Sequence, residues 1–207
     1  MRGRASGAWW FIDVSVWFET DVGPHFIDCL SQCENQIASL EKCSRNWPWV
    51  FVALASILQA ACVLYLDERD SMGVDALSDK DRKRKIASLQ HDYTGEPIGN
   101  LKLANPKTLL SRVRKQSRIP ILDKKKHRLT RVFSLRNEFM HFTPKGFSLE
   151  LSGAVDLCEI SFQSVIEIIS DKGMYGSTRL EDASRRASIE RCRLLLKKTS
   201  SLTSSIE

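Results

Sequence analysis

The feature that most constrains the fold is an uncharged apolar run, PWVFVALASILQAACVLYL, at residues 48–66. At about 19 residues, the run approaches the length that a helix needs to cross a bilayer. A helix that is apolar on all sides is equally what the centre of a soluble bundle requires. Gln59 in the middle of the run, and the frequent Ala and Ser, favour burial inside a protein. We therefore predict a core helix, with a membrane span as the alternative.

Amphipathic helices that need such an apolar partner are predicted elsewhere in the chain. Their apolar residues recur at intervals of three and four, the period of one helix face, in four stretches: 14–40, 123–142, 154–172 and 180–198. Asp123 can cap the second stretch, and Pro144 ends it because a proline pushes the preceding residue out of the helical region. A short extended piece, GFSLEL, is expected before Gly153.

The segment at residues 67–120 differs from these helices because it is polar, highly charged and punctuated by Gly and Pro. We predict an insertion with short helices at 79–91, where Ser78 can serve as the cap, and at 106–117, where Pro106 suits a first turn. The expected architecture is an all-α bundle of about four to five main helices over residues 1–175. A basic helix and a Ser/Thr-rich tail follow at 176–207.

Length, charge and cysteine content limit the function classes. The 207 residues fit one domain and leave no room for a second catalytic domain. The net charge of +6 favours a polyanionic partner such as nucleic acid, although a solvated basic surface accounts for it as well. Six cysteines without paired CxxC spacing favour free thiols in a reducing compartment, and nothing completes a metal site around Cys29 and Cys33. Asp13 interrupts the apolar N-terminal run, so we expect a cytoplasmic protein rather than a secreted one.

Arg136 occupies an unexpected position in the predicted helix 123–142. On an ideal helical wheel it lies within about 20° of Leu129, near the centre of the apolar stripe. Burying a guanidinium without partners is costly, so an arginine at such a position indicates a buried ion pair, a subunit interface or a ligand cleft. A structural salt bridge with another helix is the simplest alternative.

Asn137 and His141 lie four residues apart and stack on one flank of the same helix. His141 falls in the last turn, where the helix dipole favours a protonated imidazole. A helix-terminal histidine is often only a cap or a surface residue. Because His141 lies near Arg136, a functional site is the stronger interpretation.

The run Arg136-Asn137-Glu138-Phe139-Met140-His141 resembles the motif of the HEPN superfamily, in which an Arg and a polar residue precede a His near the end of a late helix. The resemblance covers roughly residues 14–172 and leaves the insertion unexplained. It implies a small helical bundle that forms homodimers and brings two Arg/His motifs into one cleft. It also implies a metal-independent ribonuclease without a cofactor, of the kind found in toxin–antitoxin and phage-defence systems.

The residue chemistry agrees with that implication. RNA cleavage without a metal needs a group that moves the 2′-hydroxyl proton and a cation beside the developing phosphorane charge. We assign the proton step to His141 and the phosphate to Arg136, with Asn137 orienting one of them. Arg136 and His141 lie about 140° apart on an ideal helix, so the partner subunit or local unwinding must bring them together.

A basic run precedes the motif, and its cations are candidates for contacts with an RNA backbone. Arg128 and Arg131 lie one turn apart before the motif, and Lys145 follows it. A solvated face is the ordinary role of such a run.

Three functions therefore remain open. The first is a dimeric HEPN-like endoribonuclease, a toxin or defence effector with an antitoxin or nucleotidyltransferase as a possible partner. The second is a non-catalytic module that binds RNA or nucleotides. The third is a membrane-associated helical protein anchored by residues 48–66.

Overall fold

The computed structural model describes residues 22–70, 73–90, 101–141, 150–171 and 179–203. These residues form eight α-helices, which confirms the predicted all-α class. They are α1 Val22–Ser39, α2 Trp47–Asp70, α3 Asp79–Gln90, α4 Pro106–Gln116, α5 Pro120–Lys124, α6 Lys126–Met140, α7 Leu151–Ser170 and α8 Arg179–Thr203. The only β-type pairing within the described ranges is one antiparallel bridge between Leu77 and Leu103.

Helix α2 is the centre of the bundle and packs against α1, α4, α6 and α7. Phe51, Leu54, Leu58 and Tyr65 are fully buried along it. In the part of the chain that the structure describes, Ser44–Asp67 is the one stretch long and apolar enough to cross a membrane. Of its most apolar window, 72% is buried inside the bundle, as a core helix requires.

Helix α8 packs against α1 and α7 and contributes Ile189, Cys192 and Leu196 to the core. Ion pairs tie its exposed side to α1 and to the turn that follows α1. Arg191 Nε lies 3.5 Å from Glu34 Oε2 of α1, and Lys198 Nζ lies 2.9 Å from Glu41 Oε1 of the turn. The basic C-terminal helix is therefore a packed element of the bundle.

The predicted short helices of the insertion are confirmed as α3 and α4. The Ser78 hydroxyl accepts a hydrogen bond from the Asp81 backbone N–H at 3.2 Å, which is the expected cap of α3. Pro106 begins α4, and the Asn105 side chain caps it by accepting from the Thr108 N–H at 3.0 Å. Because α4 buries Leu109, Leu110 and Val113, this part of the segment belongs to the core.

One local prediction was wrong, and another falls mostly on residues that the structure does not describe. Asp123 does not cap α6, because it lies inside α5 and pairs with Arg114 at 3.5 Å. Lys125 separates α5 from α6, and its side chain forms no capping hydrogen bond to α6. Most of the piece GFSLEL lies outside the described residues, and its last residue, Leu151, already begins α7. Helix α7 therefore starts at Leu151 instead of Ala154. Residues 14–21 of the first predicted helix also lie outside the described ranges.

Candidate functional site

Arg136 lies on the buried face of α6 but is itself only half-buried. The buried side chains of α6 are Leu129, Val132, Phe133 and Leu135, whereas Arg136 is half-buried. On the helical wheel the buried residues extend about 100° to one side of Arg136, to Leu135, and about 60° to the other, to Phe133, so Arg136 lies within the buried arc. The predicted wheel position of Arg136 therefore agrees with the buried residues of α6, and its partial exposure depends on which neighbouring helices cover it, which an ideal wheel cannot show.

The flank that carries Arg136 borders a cleft of about 310 Å³ between α2, the start of α4 and α6. Six polar side chains line it: Ser56 and Gln59 from α2, Asn105 and Lys107 from the α4 start, and Arg136 and Asn137 from α6. We call this the Arg136 cleft. Its lining includes no acidic residue.

Asn137 holds the arginine in the cleft. The Arg136 guanidinium donates a hydrogen bond to Asn137 Oδ1 at 3.0 Å. No carboxylate of residues 22–70, 73–90, 101–141, 150–171 or 179–203 pairs with Arg136, so the predicted alternative of a structural salt bridge finds no partner there. Lys107 likewise forms no ion pair within those ranges. The cleft therefore has two cations and no charge that offsets them.

The beginning of α4 adds to this positive potential. Pro106 has no N–H, and the Thr108 N–H is bound to Asn105 Oδ1, which leaves the Lys107 N–H as the next free donor of the first turn. The helix dipole places partial positive charge at the same end. A phosphate is the kind of group that such a site stabilises when side-chain cations lie beside it.

His141 is not part of this cleft. It is the C-terminal cap of α6, its backbone N–H donates to Asn137 O at 3.1 Å, and its side chain is exposed. The structure thus brings Arg136 and Asn137 together in the cleft and leaves His141 outside the cleft lining.

The three predicted backbone contacts have different surroundings. Arg128 pairs with Asp156 of α7, and Arg131 pairs with Glu138, two turns further along α6, at 2.7 Å. About half of each arginine side chain is exposed. Exposed pairs of this kind are worth about 0–1 kcal/mol, so a phosphate can compete for either arginine. Lys145 lies outside the described residues.

Sequence reasoning missed Gln59, Lys107 and the start of α4 as parts of the site. The segment Asn105-Pro106 did predict a helix start, and helix starts favour anions, so a local signal was present. The juxtaposition of Lys107 with Arg136 depends on how α4 packs across α2 and α6, which no local pattern specifies.

The cysteines are free thiols, as predicted: five are buried and Cys43 is exposed. Cys29 Sγ lies 3.6 Å from His25 Nε2. A hydrogen bond with Cys192, together with burial, raises the pKa of the Cys33 thiol well above its ordinary value, which makes it unreactive. In the described portion, no three His, Cys, Asp or Glu side chains group as metal ligands.

Comparison with known proteins adds no relative: no protein-family model, no curated protein and no solved structure matches this chain.

Proposed function

We propose that this protein is a metal-independent endoribonuclease that holds an RNA phosphate in the Arg136 cleft. The observation that carries the proposal is the guanidinium of Arg136, which pairs with no carboxylate of the described residues, in a cleft lined by Lys107 and by no acidic side chain. The HEPN resemblance rests on the motif residues alone and supports the same function. A cytoplasmic toxin or phage-defence effector, with an antitoxin or nucleotidyltransferase partner, belongs to this proposal.

The cleft residues have distinct roles in the proposed reaction. Arg136 neutralises the charge that develops on the phosphorane, because its guanidinium is planar, always charged and already oriented by Asn137. Lys107 and the start of α4 bind a non-bridging phosphate oxygen. Binding here requires no rearrangement of an internal ion pair.

The proton transfers are assigned to His141. The imidazole accepts the 2′-hydroxyl proton, the 2′-oxygen attacks phosphorus, and the bond to the 5′-oxygen breaks. The protonated His141 then gives its proton to the leaving 5′-oxygen, and the products are a 2′,3′-cyclic phosphate and a 5′-hydroxyl. Because His141 lies outside the cleft of its own chain, a homodimer that brings the second copy's His141 to Arg136 is part of the proposal.

The test is RNA cleavage in EDTA by the wild type and by matched variants. We expect His141→Ala and Arg136→Ala each to lower the rate by about two decades or more. His25→Ala and Arg191→Gln are the controls, since His25 is exposed on α1 and Arg191 lies on α8. Cleavage that survives His141→Ala, or that requires a divalent ion, would refute the proposal.

The second candidate function is RNA or nucleotide binding without cleavage. The exposed position of His141, outside the cleft, favours it. Wild-type protein that binds RNA through Arg136 but forms no cyclic phosphate would establish this candidate instead.

A further inference from the structure

A second cavity, of about 370 Å³, lies where the start of α2 meets the end of α6 and the start of α7. Its main wall consists of Trp47, Pro48 and Phe139, and Arg45 lies at its side. We call it the Trp47 pocket. Like the Arg136 cleft, it is bounded by α2 and α6 and its lining includes no acidic residue.

The aromatic wall of the pocket is fixed from behind. The Phe139 ring stacks on Phe51, with centroids 6.2 Å apart and planes inclined by 27°. The Trp47 ring also packs against the Phe51 ring, with centroids 6.0 Å apart. Phe51 is fully buried, whereas Trp47 and Phe139 are half-buried and line the cavity. The pocket thus offers a preformed aromatic surface at low conformational cost.

Arg45 supplies charge beside this surface. Its side chain is exposed, and it forms no ion pair with any carboxylate of the described ranges. A planar cation beside aromatic rings suits a ligand that combines a π-face with negative charge. An apolar side chain from another protein would fill the pocket but would make no use of Arg45.

The two sites lie close together along α6. Phe139 follows Arg136 by three residues, which is about 4.5 Å along the helix axis. On α2 the two linings are farther apart, since Trp47 and Ala55 are separated by eight residues, or about 12 Å along the axis. A strand with a phosphate in the Arg136 cleft would therefore reach the Trp47 pocket with a nucleotide a few positions along the chain.

We propose that the Trp47 pocket binds an unpaired nucleobase of single-stranded RNA by stacking on Trp47 and Phe139, with Arg45 on the adjoining phosphate. This inference rests on the proposed function and specifies its substrate as single-stranded. A base inside a duplex has no free face and is not accepted. The pocket thereby selects loops, bulges and single strands.

The experiment compares two single-stranded 2′-O-methyl RNA octamers of equal charge, one with bases and one abasic, because neither can be cleaved through a 2′-hydroxyl. Fluorescence anisotropy should show the octamer with bases binding about 5- to 150-fold tighter, the range for one stacked base. Phe139→Leu and Trp47→Leu, which keep apolar volume, should abolish that ratio. Trp49→Leu is the matched control, since Trp49 is 51% exposed and does not line the pocket.

Equal affinity of the wild type for both octamers would overturn the inference, as would an unchanged ratio in folded Phe139→Leu and Trp47→Leu. Dissociation of a dimer by Phe139→Leu, with RNA affinity unaltered, would also overturn it by assigning the pocket to a second copy. Arg136→Gln separates the two proposals. It should weaken the binding of both octamers by the same factor. If it does not, RNA binding in the Arg136 cleft is refuted, and the ratio of the two affinities still tests base binding in the Trp47 pocket.

Discussion

The side chain of Asn137 accepts a hydrogen bond from the guanidinium of Arg136 at 3.0 Å, so two consecutive residues of α6 form one unit facing the same cleft. Consecutive helical residues diverge by about 100°, and the length of the arginine allows it to turn back toward its neighbour. The polar residue of the motif therefore positions the cation.

Replacing Asn137 by aspartate tests that relationship. In Asn137→Asp a carboxylate takes the place of the amide and neutralises Arg136, so RNA binding should weaken by about tenfold, the equivalent of 1.4 kcal/mol. Asn137→Ala should weaken binding less, because the cation stays unpaired. Titration of a non-cleavable RNA at several salt concentrations measures the effect, and a shallower salt dependence is expected for Asn137→Asp. Equal affinities of the two variants would contradict the assigned role.

The ion pairs of Arg128 and Arg131 allow a test of the predicted backbone contacts. Glu138→Gln releases Arg131 from its 2.7 Å pair, and Asp156→Asn releases Arg128. If RNA contacts these arginines, each variant should bind about 2- to 5-fold tighter, because an exposed pair no longer competes. Glu34→Gln, which releases Arg191 on α8, is the matched control. Unchanged affinity in both variants would place the RNA elsewhere.

Much of the helical architecture follows from local chemistry. The Ser78 cap and Pro106 predicted the start of α3 and α4 because each satisfies a requirement of the first turn itself. Asp123 fulfilled the same cap pattern and yet failed, since Pro120 starts a short helix before it and Arg114 engages its carboxylate. A local cap signal is overruled when tertiary packing assigns the side chain another partner.

Only part of the candidate site could be predicted, because the rest of it is assembled by tertiary packing. The residue types and spacing of Arg136, Asn137 and His141 are local features, and the angular gap between Arg136 and His141 follows from helix geometry alone. Lys107 and Gln59 join the cleft through the packing of α4 and α2 against α6, which depends on contacts between distant parts of the chain.

The cap of α3 makes stability depend on pH. Hydrogen bonds from the Ser78 hydroxyl and the Lys102 backbone N–H lower the pKa of the Asp81 carboxyl, and Arg84 at 2.9 Å acts in the same direction. A lowered pKa means that this stabilisation is complete above the unfolded value of about 3.9 and is lost as pH falls through the folded value.

Asp81→Asn should therefore lower the melting temperature at pH 7, and the difference from wild type should shrink as the pH approaches 3. Scanning calorimetry between these values measures it. Asp123→Asn is the control, because it makes the same change at a side chain that is 70% exposed, whose ion pair is worth about 0–1 kcal/mol. A difference for Asp81→Asn that stays constant with pH would exclude the carboxylate as its cause.

The packing of α2 predicts a core helix in a protein that needs no detergent. Leu58 is fully buried, so Leu58→Ala should lower the free energy of unfolding by about 2–5 kcal/mol through the cavity that it leaves. Leu194→Ala, at a position 65% exposed on α8, should change it by about 0.5 kcal/mol or less. Urea denaturation in buffer alone measures both, and recovery of the protein only in detergent would favour the membrane alternative.

The proposed pairing of Arg136 with His141 across the dimer can be tested by mixing two inactive variants. A symmetric dimer that joins Arg136 of one copy to His141 of the other has two such sites. A mixed dimer of Arg136→Ala and His141→Ala then contains one site with both residues intact and one with neither. If the two residues act from the same chain, no site in any mixed dimer is intact.

Equal amounts of the two variants should therefore recover about a quarter of wild-type cleavage, since about half of the dimers are mixed and each has one of two sites. Cyclic-phosphate formation in EDTA measures the recovery, and each variant alone supplies its background. The control is the double variant mixed with His141→Ala, in which no dimer contains an intact Arg136 and His141 pair. Mixed dimers that form, as shown by co-purification of two tags, but recover no activity would show that Arg136 and His141 do not meet across the dimer.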